Sequence, residues 1–114
     1  MKIISLFSIH NIYDISYKMS NESKSSWTFF TNHTHVIICL AREPGLSLRE
    51  VALKIGVTER AVHRIIADLE QEGYLSKKKV GRQNEYTLDL TKPLRHEMES
   101  NYSIGEALQI FFGK

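Results

Sequence analysis

The sequence predicts a mainly α-helical domain with a small antiparallel β-sheet. Residues 47–73 carry two apolar stripes at helical spacing, and Gly56 separates them. Residues 74–90 fit two short strands that meet at a turn containing Gly81, and the second of them alternates apolar with polar side chains. A last apolar stripe over 103–112 predicts a short terminal helix. Elements of this number and length fit one domain.

The first main helix is expected from Asn32 to Arg42, because Pro44 and Gly45 follow and end it. Its core stripe and the apolar residues that widen this stripe are Val36, Ile37, Ile38, Cys39, Leu40 and Ala41. A helix that is apolar on most sides is either deeply buried or placed at a subunit interface. This helix therefore favours a homodimer.

The second helix is predicted to begin at Leu48, because Ser47 and Glu50 have the Ser-x-x-Glu spacing of a capping box. Its core face is Leu48, Val51, Ala52 and Ile55. The small side chain of Ala52 allows the next helix to cross closely. Gly56 can adopt the positive φ that ends a helix.

The third helix is expected from about Glu59 to Glu72 and has Thr58 as its N-cap. Gly73 ends it. One side is apolar and consists of Ala61, Val62, Ile65, Ile66 and Leu69. The opposite side consists of Arg60, His63, Arg64, Ala67 and Gln71. This outer face is rich in hydrogen-bond donors and poor in bulky apolar groups.

A basic β-hairpin is expected directly after this helix. Tyr74 and Leu75 open the first strand, residues 81–84 form the tip, and residues 85–90 form the return strand. A short third strand at Ser47 would extend the sheet. The cations of the hairpin are Lys77, Lys78, Lys79 and Arg82. Such a run is most often only a solvated face, but beside a helix that reads a groove it can lie along a phosphate backbone.

Two helices joined by a tight turn and followed by a basic hairpin form a winged helix-turn-helix. The predicted architecture is thus a three-helix core with a β-hairpin wing and an extra C-terminal helix. In that region Ser103 and Glu106 repeat the capping-box spacing, and the helix after them is expected to cover the core or to meet a second subunit.

The chain resembles the MarR-like transcriptional regulators of bacteria and archaea. Within that group it is more closely similar to small stand-alone members that consist of little more than this domain. The resemblance extends from about Trp27 to Phe112, and its motifs are TNHTHVIICLAREPG, TERAVHRIIADLEQEGYL, VGRQNEY and the LRH of residues 94–96. The chain departs from the full-length proteins because it has little room for the long helices that build their dimer and ligand pocket, and it lacks the cysteine clusters of the metal-sensing relatives.

This resemblance implies a DNA-binding transcriptional regulator that is often dimeric. By position, it implies that Thr58, Arg60, His63 and Arg64 face the major groove and that Lys77, Lys78, Lys79 and Arg82 form the wing contact. From the residue chemistry, arginine paired with guanine is the favoured base contact, so Arg60 and Arg64 are the candidates for reading bases. Thr58, Arg49 and the wing lysines are candidates for holding phosphates, which position a protein without reading sequence.

The composition is consistent with DNA binding but does not predict it by itself. The chain has 114 residues and a formal net charge of +2, so it is not a polycation, and its positive charge concentrates in the wing. Its one cysteine, Cys39, excludes an internal disulfide and fits a small buried hydrophobe. We found no run as long as a transmembrane helix and no signal-peptide cleavage site, so we expect a cytoplasmic protein. No cofactor motif and no combination of nucleophile, acid and base is apparent, so an enzyme is not expected.

The chain divides into an N-terminal arm (1–26), the winged domain (27–90) and a C-terminal extension (91–114). Residues 1–18 differ in composition from the rest, and the polar stretch MSNESKSS begins at Met19. We hypothesise that Met19 is the true initiator, or that residues 1–18 are a poorly structured arm. His33 and His35 point apart on a helix, so no metal site is expected there.

Two other functions are considered. A winged helix can serve as a protein-interaction module. Alternatively, the aromatic cluster of Trp27, Phe29 and Phe30 could stack RNA bases. Packing of these rings on the core or on a partner subunit is favoured over base stacking.

Overall fold

The computed structural model describes residues 27–112. Four helices and one two-stranded sheet make up this part of the chain. In chain order they are α1 (Asn32–Arg42), α2 (Leu48–Ile55), α3 (Glu59–Gln71), β1 (Leu75–Val80), β2 (Gln83–Leu88) and α4 (Ile104–Phe112). The predicted winged helix-turn-helix with an extra C-terminal helix is confirmed. The hypotheses on Met19 and on residues 1–18 lie outside the described residues.

The core lies where α1, α2 and α3 pack against each other. Its fully enclosed side chains are Val36, Leu40, Val51 and Val62. The residues that widen the apolar surface of α1, Ile38 and Cys39, are half-buried against this same core. Burial also raises the pKa of the Cys39 thiol. The breadth of the α1 stripe is therefore explained to a large extent by packing within the domain.

The turn between α2 and α3 is fixed by backbone chemistry that the sequence predicts. Gly56 has φ 79° and ψ 34°, and its N–H donates to the carbonyl of Ala52. This left-handed conformation is cheap only for residues without a bulky Cβ. Thr58 then caps α3, because its hydroxyl oxygen accepts from the N–H of Ala61 at 3.0 Å. The axis of α3 is thus set within three residues of the end of α2.

The wing is an antiparallel hairpin in which Leu75 faces Leu88 and Val80 faces Gln83. Only Gly81 and Arg82 connect the strands, and Gly81 has φ 65°. The expected tip over residues 81–84 was wrong, because Gln83 and Asn84 belong to β2. A two-residue connection requires unusual φ angles, and glycine in its first position supplies one of them.

The third strand expected at Ser47 is not found in the described residues, where the sheet has two strands. Ser47 serves as the N-cap of α2 instead. Its hydroxyl accepts from the N–H of Glu50 at 3.1 Å, and its own N–H donates to the Glu50 carboxylate at 2.9 Å. Because the backbone N–H of Ser47 donates to the Glu50 side chain, it is not available for a hydrogen bond to a neighbouring strand.

The C-terminal extension folds back onto the end of the wing. The N–H groups of Ile104 and Gly105 donate to the carbonyls of Lys92 and Leu90 at 2.9 and 3.0 Å. The predicted capping box of α4 is confirmed, with Ser103 and Glu106 as its members. Arg42 at the end of α1 donates to the carbonyl of Phe111 at 3.2 Å. These contacts hold α4 beside α1.

The aromatic segment packs only in part. Phe30 meets Phe111 edge-to-face with ring centroids 5.0 Å apart. Trp27 and Phe29 contact each other, yet they are 73% and 90% exposed. Within the described residues Trp27 and Phe29 therefore do not pack on this core, and their packing on a partner subunit stays a prediction.

Candidate nucleic-acid interface

The outer face of α3 is open and cationic over its first half. Val62, Ile65, Ile66 and Leu69 are buried in the core, so the helix cannot rotate without exposing them. Arg60, His63 and Arg64 consequently lie on the opposite face and are exposed, as are Ala67 and Gln71. The prediction of which residues face out is confirmed. Residues in the first turns of such a helix are the ones that reach base edges in known helix-turn-helix complexes.

Charge is distributed unequally along α3. The second half carries Asp68 and Glu70, and Glu72 follows as the C-cap. Asp68 pairs with His33 of α1, with Nε2 and Oδ2 2.9 Å apart. Glu72 lies 3.6 Å from the guanidinium of Arg95. The acidic end of the helix therefore contacts the rest of the domain, whereas the cationic end remains open to a polyanion.

The start of α2, the start of α3 and the wing tip share a surface groove of about 300 Å³, here called the tip groove. Its lining includes Glu59 and His63 from α3 and Arg82, Asn84 and Tyr86 from the wing. His63 and Glu59 are one helical turn apart, with Nε2 and Oε2 at 3.7 Å. The structure therefore brings two of the predicted site residues, His63 and Arg82, to one place.

Most residues that line the tip groove, among them Glu59, Asn84 and Tyr86, were not among the predicted site residues. Asn84 was assigned to the loop, but the short connection places it in β2 opposite Lys79. Tyr86 is buried and holds the wing against the domain. The sequence signal that locates Asn84 is Gly81 followed by Arg82, because a glycine in the first position is typical of a two-residue hairpin turn. Such a turn places Asn84 in the return strand.

The wing lysines fall on two faces of the hairpin because strand residues alternate. Lys77 and Lys79 share the face of buried Leu75, and their partners on β2 are Tyr86 and Asn84. Lys78 points to the other face and lies opposite Glu85. All three lysines are exposed. The sequence predicts one group of three lysines. The strand register places Lys78 on the other face, opposite the acidic Glu85.

The remaining candidates, Thr58 and Arg49, both lie near helix starts. Thr58 is exposed and its hydroxyl oxygen is engaged as the cap of α3. Arg49 is exposed in the first turn of α2, where it flanks the capping box. Neither residue lines the tip groove, and Arg60, Arg64 and the wing lysines also lie outside it.

The three core helices and the start of the wing match a known protein family. Residues 31–76 match a family model described as winged helix-turn-helix DNA-binding. This match spans the three helices of the core and agrees with the winged helix-turn-helix fold of the described residues. The match ends one residue into β1, so the rest of the wing is assigned to this domain from the hairpin itself.

Individual relatives share parts of this domain. An uncharacterized protein of Methanocaldococcus jannaschii is 32% identical over 82 residues, which are 70% of this chain but only 18% of that protein. Among solved structures, the PcaV transcriptional regulator of Streptomyces coelicolor, in complex with its natural ligand, is 23% identical with a TM-score of 0.49. That alignment covers 91% of this chain and 74% of PcaV. A MarR family protein of Mycobacterium tuberculosis, in complex with salicylic acid, is 24% identical with a TM-score of 0.44, and the alignment covers 74% and 62% of the two chains.

Across residues 27–112 no cluster of three or more metal-ligating side chains occurs. No helix within the same range has the length and hydropathy needed to cross a membrane.

Proposed function

We propose that this protein is a transcriptional regulator that binds double-stranded DNA in a sequence-specific manner. The helix over residues 58–72 enters the major groove, and the wing over residues 76–86 holds the phosphate backbone. The major groove is wide enough to admit an α-helix and presents a distinct donor and acceptor pattern for each base pair. The observation that carries the proposal is the open cationic first half of α3 beside the wing tip.

Arg60 and Arg64 are assigned to base edges, with His63 in support. Both arginines project from the exposed face, one helical turn apart, and a guanidinium can donate two hydrogen bonds to guanine. Thr58, Arg49, Lys77, Lys79 and Arg82 are assigned to phosphates, and Lys78 is retained as a weaker contact. Phosphate contacts fix the register of a protein on the duplex but carry no sequence information.

The proposal is tested by selection of bound duplexes from a random library with the full chain. A recurrent motif is expected, and Arg60→Ala or Arg64→Ala should each weaken binding to that motif by about 1–3 kcal/mol and relax one base position. Arg95→Ala is the matched control, because it removes the same charge from an exposed site beside Glu72. Unchanged discrimination in both variants would remove α3 as the reading element.

A homodimer belongs to the same proposal. Since much of the wide apolar surface of α1 is used within the domain, we assign the partner surface to the end of α4 around Phe112 and the aromatic segment around Trp27. Two copies would then read half-sites about one helical turn of DNA apart. Light scattering on the full chain gives the stoichiometry, and a motif that is palindromic in the selection would agree with it.

RNA binding is the second candidate, since Trp27 and Phe29 are exposed rather than packed. Exposed aromatic rings can stack single-stranded bases. Trp27 is the one tryptophan of the chain, so its fluorescence reports on this segment alone. Quenching of Trp27 fluorescence by RNA but not by duplex DNA favours the RNA candidate. Weak, salt-insensitive binding to DNA together with a stable protein partner favours a protein-interaction module.

A further inference from the structure

A large apolar concavity of the described domain shares no residue with the cationic face of α3. It is a groove of about 620 Å³ between α1, α4 and the connection over residues 94–102, here called the apolar groove. Ile37 and Leu108 form its floor, and Met98, Tyr102 and Ile110 form its walls. The wall residues are 85%, 60% and 69% exposed. Contiguous exposed apolar surface of this kind marks a site of interaction.

We infer that residues 1–18 of the same chain occupy the apolar groove. This segment carries five isoleucines, at positions 3, 4, 9, 12 and 15, together with Leu6, Phe7, Tyr13 and Tyr17. Residues 1–18 therefore offer apolar side chains that can fill the groove. The inference follows the version of the N-terminal hypothesis in which residues 1–18 belong to the protein, and it replaces an unattached arm with a docked one.

The path of the chain supports this occupant. The described part of the chain begins at Trp27, three residues before Phe30, and Phe30 lines the groove and packs against Phe111. The polar stretch of residues 19–26 can extend over roughly 26 Å at about 3.3 Å per residue. A segment tethered this closely experiences an effective concentration on the order of mM, which a free partner rarely reaches.

Charge points the same way. Among residues 27–112, the acidic side chains that line the apolar groove are Glu99 and Glu106, and no cationic side chain lines it. Residues 1–18 carry Lys2 and Lys18 against the single acid Asp14. A cationic apolar segment thus complements an acidic apolar groove.

A second copy would fill this groove only if a projecting segment of each copy entered the groove of the other, because a twofold interface is reciprocal. A tethered segment of the same chain can fill the concave site at any protein concentration. The inference is independent of DNA binding, because none of the proposed DNA-contacting residues lines this groove.

The experiment uses the full chain with Cys39→Ala, so that one new cysteine can carry a spin label. With the label at Ser5→Cys, the methyl signals of Leu94, Met98 and Ile110 should lose most of their intensity. With the label at Arg82→Cys on the wing, the same signals should remain. The exposed position of Ile110 makes Ile110→Ser a variant that keeps the fold, and this change should restore the remaining groove signals, as should Phe7→Ser combined with Ile9→Ser.

Three results would overturn the inference. One is full methyl intensity with the label at residue 5. Another is broadening that appears between chains when spin-labelled and isotope-labelled molecules are mixed, because the occupant is then a second copy. The third is a native protein whose mass begins at Met19, because the proposed occupant is then missing from it.

Discussion

Helices α3 and α4 begin with the same kind of local signal and serve different surfaces. Thr58 caps α3, and Ser103 with Glu106 caps α4. The free face of α3 presents arginine and histidine, whereas the free face of α4 presents Ile110 and Phe112. A cap therefore locates the start of a helix, while the composition of the unburied face indicates what that helix can bind. One face suits a polyanion and the other an apolar partner.

The two helices also differ in how they are held. A turn of three residues joins α3 to α2, and the side chains of α3 are central to the core. Helix α4 buries Ile104 and Leu108 and is held further by hydrogen bonds to the backbone of Leu90 and Lys92 and from Arg42. A helix with fewer buried side chains can loosen separately from the core, so stability is expected to be unequal across the molecule.

The largest expected effect compares two leucines that are equally buried, Leu69 in α3 and Leu108 in α4. Leu69→Ala should lower the free energy of unfolding by about 2–5 kcal/mol, because it leaves a cavity in the central core. Leu108→Ala should mainly speed hydrogen exchange of the α4 amides and leave the protection of α3 intact. Denaturation with hydrogen exchange on both variants measures this difference.

Equal loss of protection in α3 and α4 in both variants would mean that the two helices unfold as one unit. The distinction between a central helix and a peripheral one would then be wrong.

The second effect concerns the close approach of Gly105 to the end of the wing. A Cβ at this position would lie 2.9 Å from the carbonyl oxygen of Leu90, and backbone cannot move aside as a flexible side chain can. Alanine in a helix is usually favoured over glycine by about 1 kcal/mol, but here overpacking of about 1–3 kcal/mol should reverse the sign. Gly105→Ala should therefore destabilise the protein.

Gly45→Ala is the matched control, since nothing lies within 4 Å of a Cβ built there. Thermal unfolding of both variants should separate them. A stabilised Gly105→Ala protein would show that α4 does not lie against Leu90 in solution.

Sequence patterns predicted the α2–α3 unit well because its determinants are local. The capping box at Ser47, the left-handed Gly56 and the burial of alternate faces all act within a few residues. The position of α4 could not be predicted, because it rests on contacts such as Gly105 with Leu90 and Arg42 with Phe111, whose partners are far apart in the chain. No periodicity encodes such pairings.

The candidate site divides in the same manner. The exposed face with Arg60 and Arg64 follows from the helical period alone. The tip groove that joins His63 to Arg82 depends on the register of the hairpin, and the length of its turn was misjudged by two residues. The inequality of the wing lysines, too, appears only once Lys78 is placed opposite Glu85.

The third prediction concerns the wing. Replacement of Lys77, Lys78 and Lys79 by Ala should weaken binding to all DNA sequences about equally and flatten the dependence of affinity on salt, because each phosphate contact contributes about 0.9 to the logarithmic slope. Among the single variants, Lys78→Ala should change the slope least, since its cross-strand partner is the acidic Glu85. Titrations at several salt concentrations measure the slopes.

Arg95→Ala again controls for loss of one positive charge. A salt slope that stays unchanged in the triple variant would remove the wing from the DNA-binding surface. If Lys78→Ala changed the slope most, the hairpin face that carries Lys78 would be the one that contacts phosphate.

The smallest effect is a pH dependence at the start of α2. The pKa of the Glu50 carboxyl lies below its ordinary value of 4.5, first because the backbone N–H of Ser47 donates to it and then because of the Ser47 side chain. A lowered pKa in the folded state stabilises the protein fully above the unfolded value, and this stabilisation is lost as pH falls through the folded value. Glu50→Gln retains a capping group but cannot titrate. The difference in unfolding free energy between the native protein and this variant should therefore shrink on acidification below 4.5, and denaturant titrations from neutral to acidic pH measure it. A difference that stays constant over that range would show that the carboxylate is not bound to Ser47 in solution, although α2 would still begin at the same residue.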